Sequence, residues 1–188
     1  NLSLSGATPD TQRDFAPESI FQYAYGLFYS VEYRHRYAEF LRIDFPRLPL
    51  TRSLGLFRAM TELGGELVAL HLLESSKLDR HLTRFIGATR PEVERVSYEN
   101  KTVWLDKDQT YGFQNVPEGV WNFHIGGYQV CEKWLKDRKG RKLLKDDIDH
   151  YQRIVVALAE TIRLMKEIDE VIDKHGGWPG AFSTDSVD

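Results

Sequence analysis

The chain has 188 residues, 41% of them apolar and 12% aromatic, which is enough to pack a core and excludes global disorder. Its formal charge of −3 excludes a protein that coats nucleic acid with its whole surface, and its single cysteine, Cys131, excludes an internal disulfide framework or a cysteine-based zinc site. No apolar run approaches the roughly 20 residues of a membrane helix, and the opening Asn1-Leu2-Ser3-Leu4 lacks the basic and apolar stretches of a secretory signal. A reducing, cytoplasmic setting is the simplest reading, and the chain reads as a fragment of a larger protein.

Residues 1–16 are polar and read as a linker or arm. Pro17-Glu18 predicts a helix start, with proline in the first turn and an acid near the positive end of the dipole. Ile20, Tyr23, Tyr25, Leu27 and Phe28 make its apolar face. A second helix is predicted over about Val31 to Leu41, with Tyr33, Tyr37, Phe40 and Leu41 inward and Arg34, Arg36 and Glu39 outward. Pro46 and Pro49 break it. Ser53 can cap the next helix, LGLFRAMTELGGELVALHLLE, whose Gly64-Gly65 pair predicts close packing, because mid-helix glycine costs about 1 kcal/mol each. The stretch from Lys77 to Arg90 looks irregular.

The pattern then changes to period two. Val93–Tyr98, Thr102–Leu105 and Tyr111–Val116 are short, β-branched and aromatic, with turn residues at Glu99-Asn100-Lys101 and Asp106-Lys107-Asp108. They predict a small antiparallel meander, to which Val120–Ile125 adds a strand or packs across. Gly126-Gly127 is a turn, and Tyr128–Lys139 a short helix ending near Gly140. Asp146 is the expected cap of a last helix. Ile148, Tyr151, Val155, Leu158, Ile162 and Met165 give that helix an apolar seam reaching toward Lys174, roughly 43 Å of helix, with Gly176-Gly177 as its stop. The seam is expected to pack within the chain rather than form a coiled-coil dimer. The fold class is therefore α+β: helices flanking a small antiparallel sheet, with a long C-terminal amphipathic helix. Residues 17–175 are expected to be one domain, helical over 17–90, β over 93–125 and helical over 128–175, followed by a tail at 176–188.

Catalytic patterns are absent from the sequence. There is no phosphate-binding loop, dinucleotide turn or nucleophile elbow, and the histidines show no metal-ligand spacing. His71, among leucines, reads as a core or boundary residue. Asp146, Asp147, Asp149 and His150 read as a helix cap rather than a metal cluster. Cys131 reads as buried near Trp134 and not as a nucleophile. Binding chemistry is richer. Lys133, Lys136, Arg138, Lys139, Arg141, Lys142 and Lys145 crowd a short stretch opposed only by Asp137. Long cationic side chains in such density suit phosphates. The meander and its turns supply Asn100, Lys101, Lys107, Gln109, Gln114 and Asn115, side chains able to bond base edges. Trp104, Tyr111, Trp121 and Tyr128 could stack or wedge, but core packing is the expected role of each.

The stretch ESIFQYAYGLFYSVEYRHRYAEFLRIDFPRLPL, the following ELVALHLLE, and VWNFHIGGYQVCEKWLKDRKGRKLLKDDIDHYQRIVVALAETIRLM together resemble the C-terminal specificity region of adenine DNA methyltransferases, above all of type ISP single-polypeptide restriction–modification enzymes. The resemblance covers roughly residues 15–170. It implies a non-catalytic target-recognition domain that binds double-stranded DNA for a covalently linked N6-adenine methyltransferase domain. In such a parent protein, S-adenosylmethionine would bind that other domain, preceded by nuclease and translocase parts. It further implies that Val93–Asn115 carries sequence choice. The segment with Tyr128, Gln129, Lys133, Lys136, Arg138, Lys139, Arg141 and Lys142 would position the DNA backbone. No cofactor is expected in this chain. Two other readings stay open at this level: a protein-interaction or oligomerisation module built on the long C-terminal helix, and an enzyme with an unrecognised site.

Overall fold

The computed structural model describes residues 16–182 of the chain, so the expected arm lies almost wholly outside the described residues. The described residues divide into two compact units, one of residues 16–69 with 163–182, the other of residues 70–162.

The first unit is helical. Helix α1 (Pro17–Tyr29) opens as predicted, with proline in its first turn and Glu18 beside it. The second predicted helix is split at Tyr37 into α2 (Val31–Arg36) and α3 (Ala38–Ile43). The break resets the helical phase, so Tyr33 is buried whereas Phe40, expected inward, is 62% exposed. Ser30 caps α2 by accepting from the Tyr33 N–H at 3.0 Å, and its hydroxyl donates to Asp169 at 2.5 Å. The other Asp169 oxygen accepts from the Val31 N–H at 3.1 Å, so one carboxylate satisfies the orphan donors of a helix start. Ser53 caps α4 (Leu54–His71) through the Leu56 N–H, as the sequence predicts. Gly64 of α4 lies against the backbone of α1: a Cβ there would sit 1.8 Å from the Gln22 carbonyl oxygen. Tyr23, Leu27, Leu56, Met60, Leu67, Leu164 and Ile168 are fully buried among this unit's residues.

The second unit holds the sheet. The predicted meander forms as β2 (Ser97–Glu99), β3 (Thr102–Trp104) and β4 (Gly112–Gln114), antiparallel throughout. A fourth strand, β1 (Arg84–Ile86), lies inside the stretch expected to be irregular; it pairs with β4 and sets the order β1-β4-β3-β2. Val120–Ile125 does not join this sheet. It forms α5 (Glu118–Trp121) and then β5 (His124–Ile125), which pairs only with β6 (Tyr128–Gln129) across the Gly126-Gly127 turn. The helix predicted from Tyr128 accordingly starts later, as α6 (Val130–Lys136).

The long helix α7 (Lys145–Lys174) is 30 residues and ends at Gly176, whose φ of 109° is left-handed. Its start is held by Asp147 rather than Asp146: Asp147 reaches back to the Leu144 N–H at 2.9 Å. Tyr151, Val155 and Leu158 from its seam are buried in the second unit's core with Val103, Phe113, Val120, Cys131 and Leu135. That part of the seam is thus consumed within the chain. Among the described residues no helix is long and apolar enough to cross a membrane.

Candidate nucleic-acid interface

The basic stretch after α6 is tied by its backbone to the segment Pro91–Val93. Gly140 N–H donates to Val93 O at 2.8 Å, Val93 N–H to Arg141 O at 3.1 Å, and Leu143 N–H to Pro91 O at 2.8 Å. The next residues, Glu94 and Arg95, both donate their N–H to Leu105 O, at 2.9 and 3.0 Å, and the Tyr111 hydroxyl donates to Glu92 O. The segment Pro91–Arg95 therefore carries the basic stretch at its start and joins the end of β3 through Leu105. A groove of about 340 Å³ lies there, lined by Val93, Glu94, Arg95, Val96, Lys136 and Lys139. Arg95 escapes the sequence reading. It lies within the predicted strand Val93–Tyr98, and only the non-local pairing of 91–93 with 140–143 brings it to the lysines.

Within the basic stretch the cations are not equivalent. Lys133 is paired with Asp137, Lys136 with Glu132 at 2.9 Å, and Arg138 with Asp147 at 3.8 Å. Folding and helix spacing thus add Glu132 and Asp147 to the lone acid seen in the linear stretch. Arg138 is also stacked on Trp134, 3.4 Å from the ring centroid, and donates to the Trp134 carbonyl at 2.9 Å. Lys139, Arg141, Lys142 and Lys145 are exposed and have no ion pair among the described residues.

Asp106 shapes the loop that presents Lys107 and Gln109. It is 5% exposed and accepts from the Thr110 N–H at 3.0 Å, the Thr110 hydroxyl at 2.7 Å and the Tyr111 N–H at 3.3 Å. Burial alone would raise its pKa. The hydrogen bonds to its charged form outweigh burial and hold the carboxyl below its ordinary value. Lys107 and Gln109 are left exposed, Gln109 with a left-handed φ of 55° and its amide donating to Glu99 at 2.8 Å.

Asn100, Lys101, Gln114 and Asn115 gather at the β2–β3 turn, which the Gln109–Glu99 hydrogen bond links to the β3–β4 loop. Asn100 and Lys101, at φ 51° and 58°, form the two-residue turn of the β2–β3 hairpin. Asn115 is exposed beside them, since the Val116 N–H donates to Lys101 O at 2.9 Å. Gln114 is half-buried on β4, opposite Arg84.

The β5–β6 ribbon is fixed near the same turn. The Tyr98 hydroxyl donates to Val116 O at 2.9 Å, and its ring stacks on Trp121 with centroids 5.1 Å apart. The Gln129 amide donates to Trp121 O at 2.5 Å. Gln129 is thus spent on holding the ribbon. Trp104 and Tyr111 are half-buried and Trp121 is buried, as core packing requires. Tyr128 is not: it is 63% exposed, because it belongs to a two-stranded ribbon rather than to a helix packed on the core.

Reactive chemistry is muted elsewhere. Burial pushes the Cys131 thiol up to about 12. His71 is lowered by burial and shares a 2.9 Å hydrogen bond with Thr161. His150 stacks on Trp134 rather than joining the neighbouring aspartates. Among the described residues no group of three or more His, Cys, Asp or Glu is placed to hold a metal.

The family model of the Type ISP C-terminal specificity domain matches residues 4–167. No curated protein matches the chain. Solved structures similar to it include a nuclease-deletion mutant of the Type ISP restriction-modification enzyme LlaGI in complex with a DNA substrate mimic, with TM-score 0.61 and 19% identity over 81% of this chain. The ATP-dependent Type ISP restriction-modification enzyme LlaBIII bound to DNA matches with TM-score 0.63 and 17% identity over 85% of the chain. A DrdV–DNA complex matches with TM-score 0.64 and 20% identity over 84%. At these identities the likeness is one of fold, and the chain spans only 14%, 12% and 18% of those three proteins. With the family model covering most of its length, the chain belongs to the Type ISP C-terminal specificity domain family.

Proposed function

We propose that this chain is the DNA target-recognition domain of a single-polypeptide restriction–modification enzyme, holding duplex DNA for a catalytic domain elsewhere in that polypeptide. The match to a specificity domain over residues 4–167 carries this reading. The naming of the three structural neighbours as complexes with DNA or a DNA mimic supports it. So does a surface on which Lys139, Arg141, Lys142 and Lys145 have no ion pair among the described residues and Arg95 lies beside Lys136 and Lys139.

In this reading residues 17–175 form the recognition domain. Lys139, Arg141, Lys142, Lys145 and Arg95 bind phosphates, which fixes position without reading sequence. Lys133 and Lys136 contribute when DNA competes for their carboxylate partners. Lys107, Gln109, Asn100, Lys101, Gln114 and Asn115 offer donors and acceptors to base edges in the major groove. Arg138 and Gln129, already committed to Trp134 and Trp121, shape the surface from beneath. Phe40, Ile43, Phe45 and Leu50, 62%, 84%, 90% and 67% exposed, give the helical unit an apolar surface suited to a neighbouring domain of the same polypeptide. The parent would transfer the methyl group of S-adenosylmethionine to N6 of a flipped adenine, with ATP-driven translocation and nuclease activity, in the cytoplasm.

The test is selection of a randomised duplex pool on the purified chain, at low and at physiological salt, followed by sequencing. Recovery of a consensus several base pairs long is the expected result. No retention even at low salt would overturn the reading. Replacing Lys139, Arg141 and Lys142 together with Gln is expected to weaken binding to every sequence alike and to reduce the log–log salt slope by roughly 0.9 per lost contact. A variant that lost preference at one base pair instead would move these residues from phosphates to bases.

A further inference from the structure

We propose that the tip of the β5–β6 ribbon is a wedge that stacks against, and opens, a base step of the bound duplex. The proposal rests on the DNA reading above and adds to it a site of a different kind, apolar rather than ionic. Ile125 and Tyr128 are paired across the ribbon, so their side chains lie next to each other on one face. They are 46% and 63% exposed, in a ribbon that could have turned them onto the core. The turn between them is Gly126-Gly127, at φ 55° and 86°, and a Cβ added to either would meet nothing within 4 Å. The tip is therefore narrow and free of side chains beyond the apolar pair.

Exposed apolar residues are ordinary when scattered. This pair differs in how firmly it is mounted and in what flanks it. Four contacts fix the base of the ribbon: Gln129 to Trp121 O, the Tyr98–Trp121 stack, Val130 N–H to Phe123 O at 3.2 Å, and His124 to Asn122 O at 2.7 Å. A pre-ordered aromatic group loses little conformational freedom on binding. The flanking charge selects the partner. The Lys133 ammonium lies 5.9 Å from the Tyr128 ring centroid. Lys136, one turn further along α6, and Lys139 in the turn beyond its end both line the groove with Arg95; Lys133 and Lys136 are paired with Asp137 and Glu132, and Lys139 has no ion pair among the described residues. An apolar wedge at the head of a cationic ribbon matches a stack of bases bordered by phosphates. It matches a neutral apolar protein surface poorly. Apolar side chains inserted at a base step unstack it and kink the duplex.

The experiment uses the intact chain and short duplexes carrying 2-aminopurine at different positions, whose fluorescence rises when the base unstacks. Wild type, Ile125→Ala/Tyr128→Ala, Tyr128→Phe and the triple Lys139→Gln/Arg141→Gln/Lys142→Gln variant are compared for affinity, salt slope and fluorescence. Thermal melting checks that each is folded. The double Ala variant is expected to lose the fluorescence rise and about tenfold or more in affinity, with the salt slope unchanged, as removal of a stacking side chain requires. Tyr128→Phe is expected to keep the rise, since the ring is what stacks. The Gln variant is expected to lose salt slope while keeping the rise at saturating protein. Binding by wild type with no fluorescence rise at any position would overturn the wedge and leave the DNA reading intact. So would an equal rise in wild type and the double Ala variant. Failure of wild type to bind duplex at low salt would overturn both.

Discussion

Asp106 shows how one buried carboxylate can fix the shape of an exposed loop. Three donors from Thr110 and Tyr111 converge on it, and they fix the backbone on which Lys107 and Gln109 are displayed. Asp106→Ala is expected to cost about 2 kcal/mol, the scale of hydrogen bonds to a charged group, and to blunt sequence preference while sparing the salt slope. Because the folded-state pKa lies below the ordinary value of 3.8, this stabilisation is present in full above that value and disappears as the pH falls through the folded-state pKa. Urea melts of wild type and Asp106→Asn should differ at neutral pH and converge in strong acid. A difference that persisted unchanged into acid would mean that the charge of Asp106 contributes nothing. Cys131 gives the opposite lesson. With its thiol pushed up to about 12 by burial, it is expected to resist iodoacetamide at neutral pH in the folded chain and to react at once in urea. Fast alkylation of the native protein would place it at the surface.

At the scale of elements, the contact between α1 and α4 depends on a missing side chain. At Gly64 an added Cβ would meet only backbone, the Gln22 carbonyl at 1.8 Å and the Gly26 nitrogen at 2.9 Å, so the helices must separate. Gly64→Ala is expected to destabilise by about 3 kcal/mol or more. At Gly65 the nearest atoms belong to the flexible Gln22 side chain at 3.2 Å, and the gain in helix propensity of about 1 kcal/mol makes Gly65→Ala close to neutral. Thermal melts of the two variants should separate clearly; equal melting temperatures would refute the close crossing. The glycine pair, the Ser53 cap, the α7 seam and the meander were legible because each is written in local spacing. Strand β1 was not. Three residues are too few to show a period, and what makes Arg84-Phe85-Ile86 a strand is its pairing with Gly112–Gln114, far along the chain. The break at Tyr37 carries no proline or glycine, so nothing local announced it. Of the candidate interface, residue types were readable but their division of labour was not. The Lys136–Glu132 pair follows helix spacing, yet Arg138 with Asp147 and Arg95 with the lysines are products of tertiary folding.

Over the whole molecule, 28 acidic residues outnumber 25 basic ones. DNA is therefore repelled on average and attracted only where cations lack partners. In the proposed interface Lys139, Arg141, Lys142 and Lys145, with Arg95 beside the groove, form the cluster that could release counterions from a duplex without first giving up an ion pair among the described residues. About four or five contacts at roughly 0.9 each predict a log–log salt slope near −4 for a duplex of arbitrary sequence. Affinity should then fall by a few hundred-fold between about 50 and about 200 mM salt. Fluorescence anisotropy across that range measures the slope directly. A slope near −1 would mean that the basic stretch is solvated surface and that DNA binds elsewhere. A slope near −6 would mean that Lys133 and Lys136 also exchange their carboxylates for phosphates on binding. Because the lysines of the Lys133–Asp137 and Lys136–Glu132 pairs are exposed and each pair holds by no more than about 1 kcal/mol, the exchange would cost little for those two. The slope therefore tests the proposed phosphate contacts, counting how many cations DNA engages before any complex is seen.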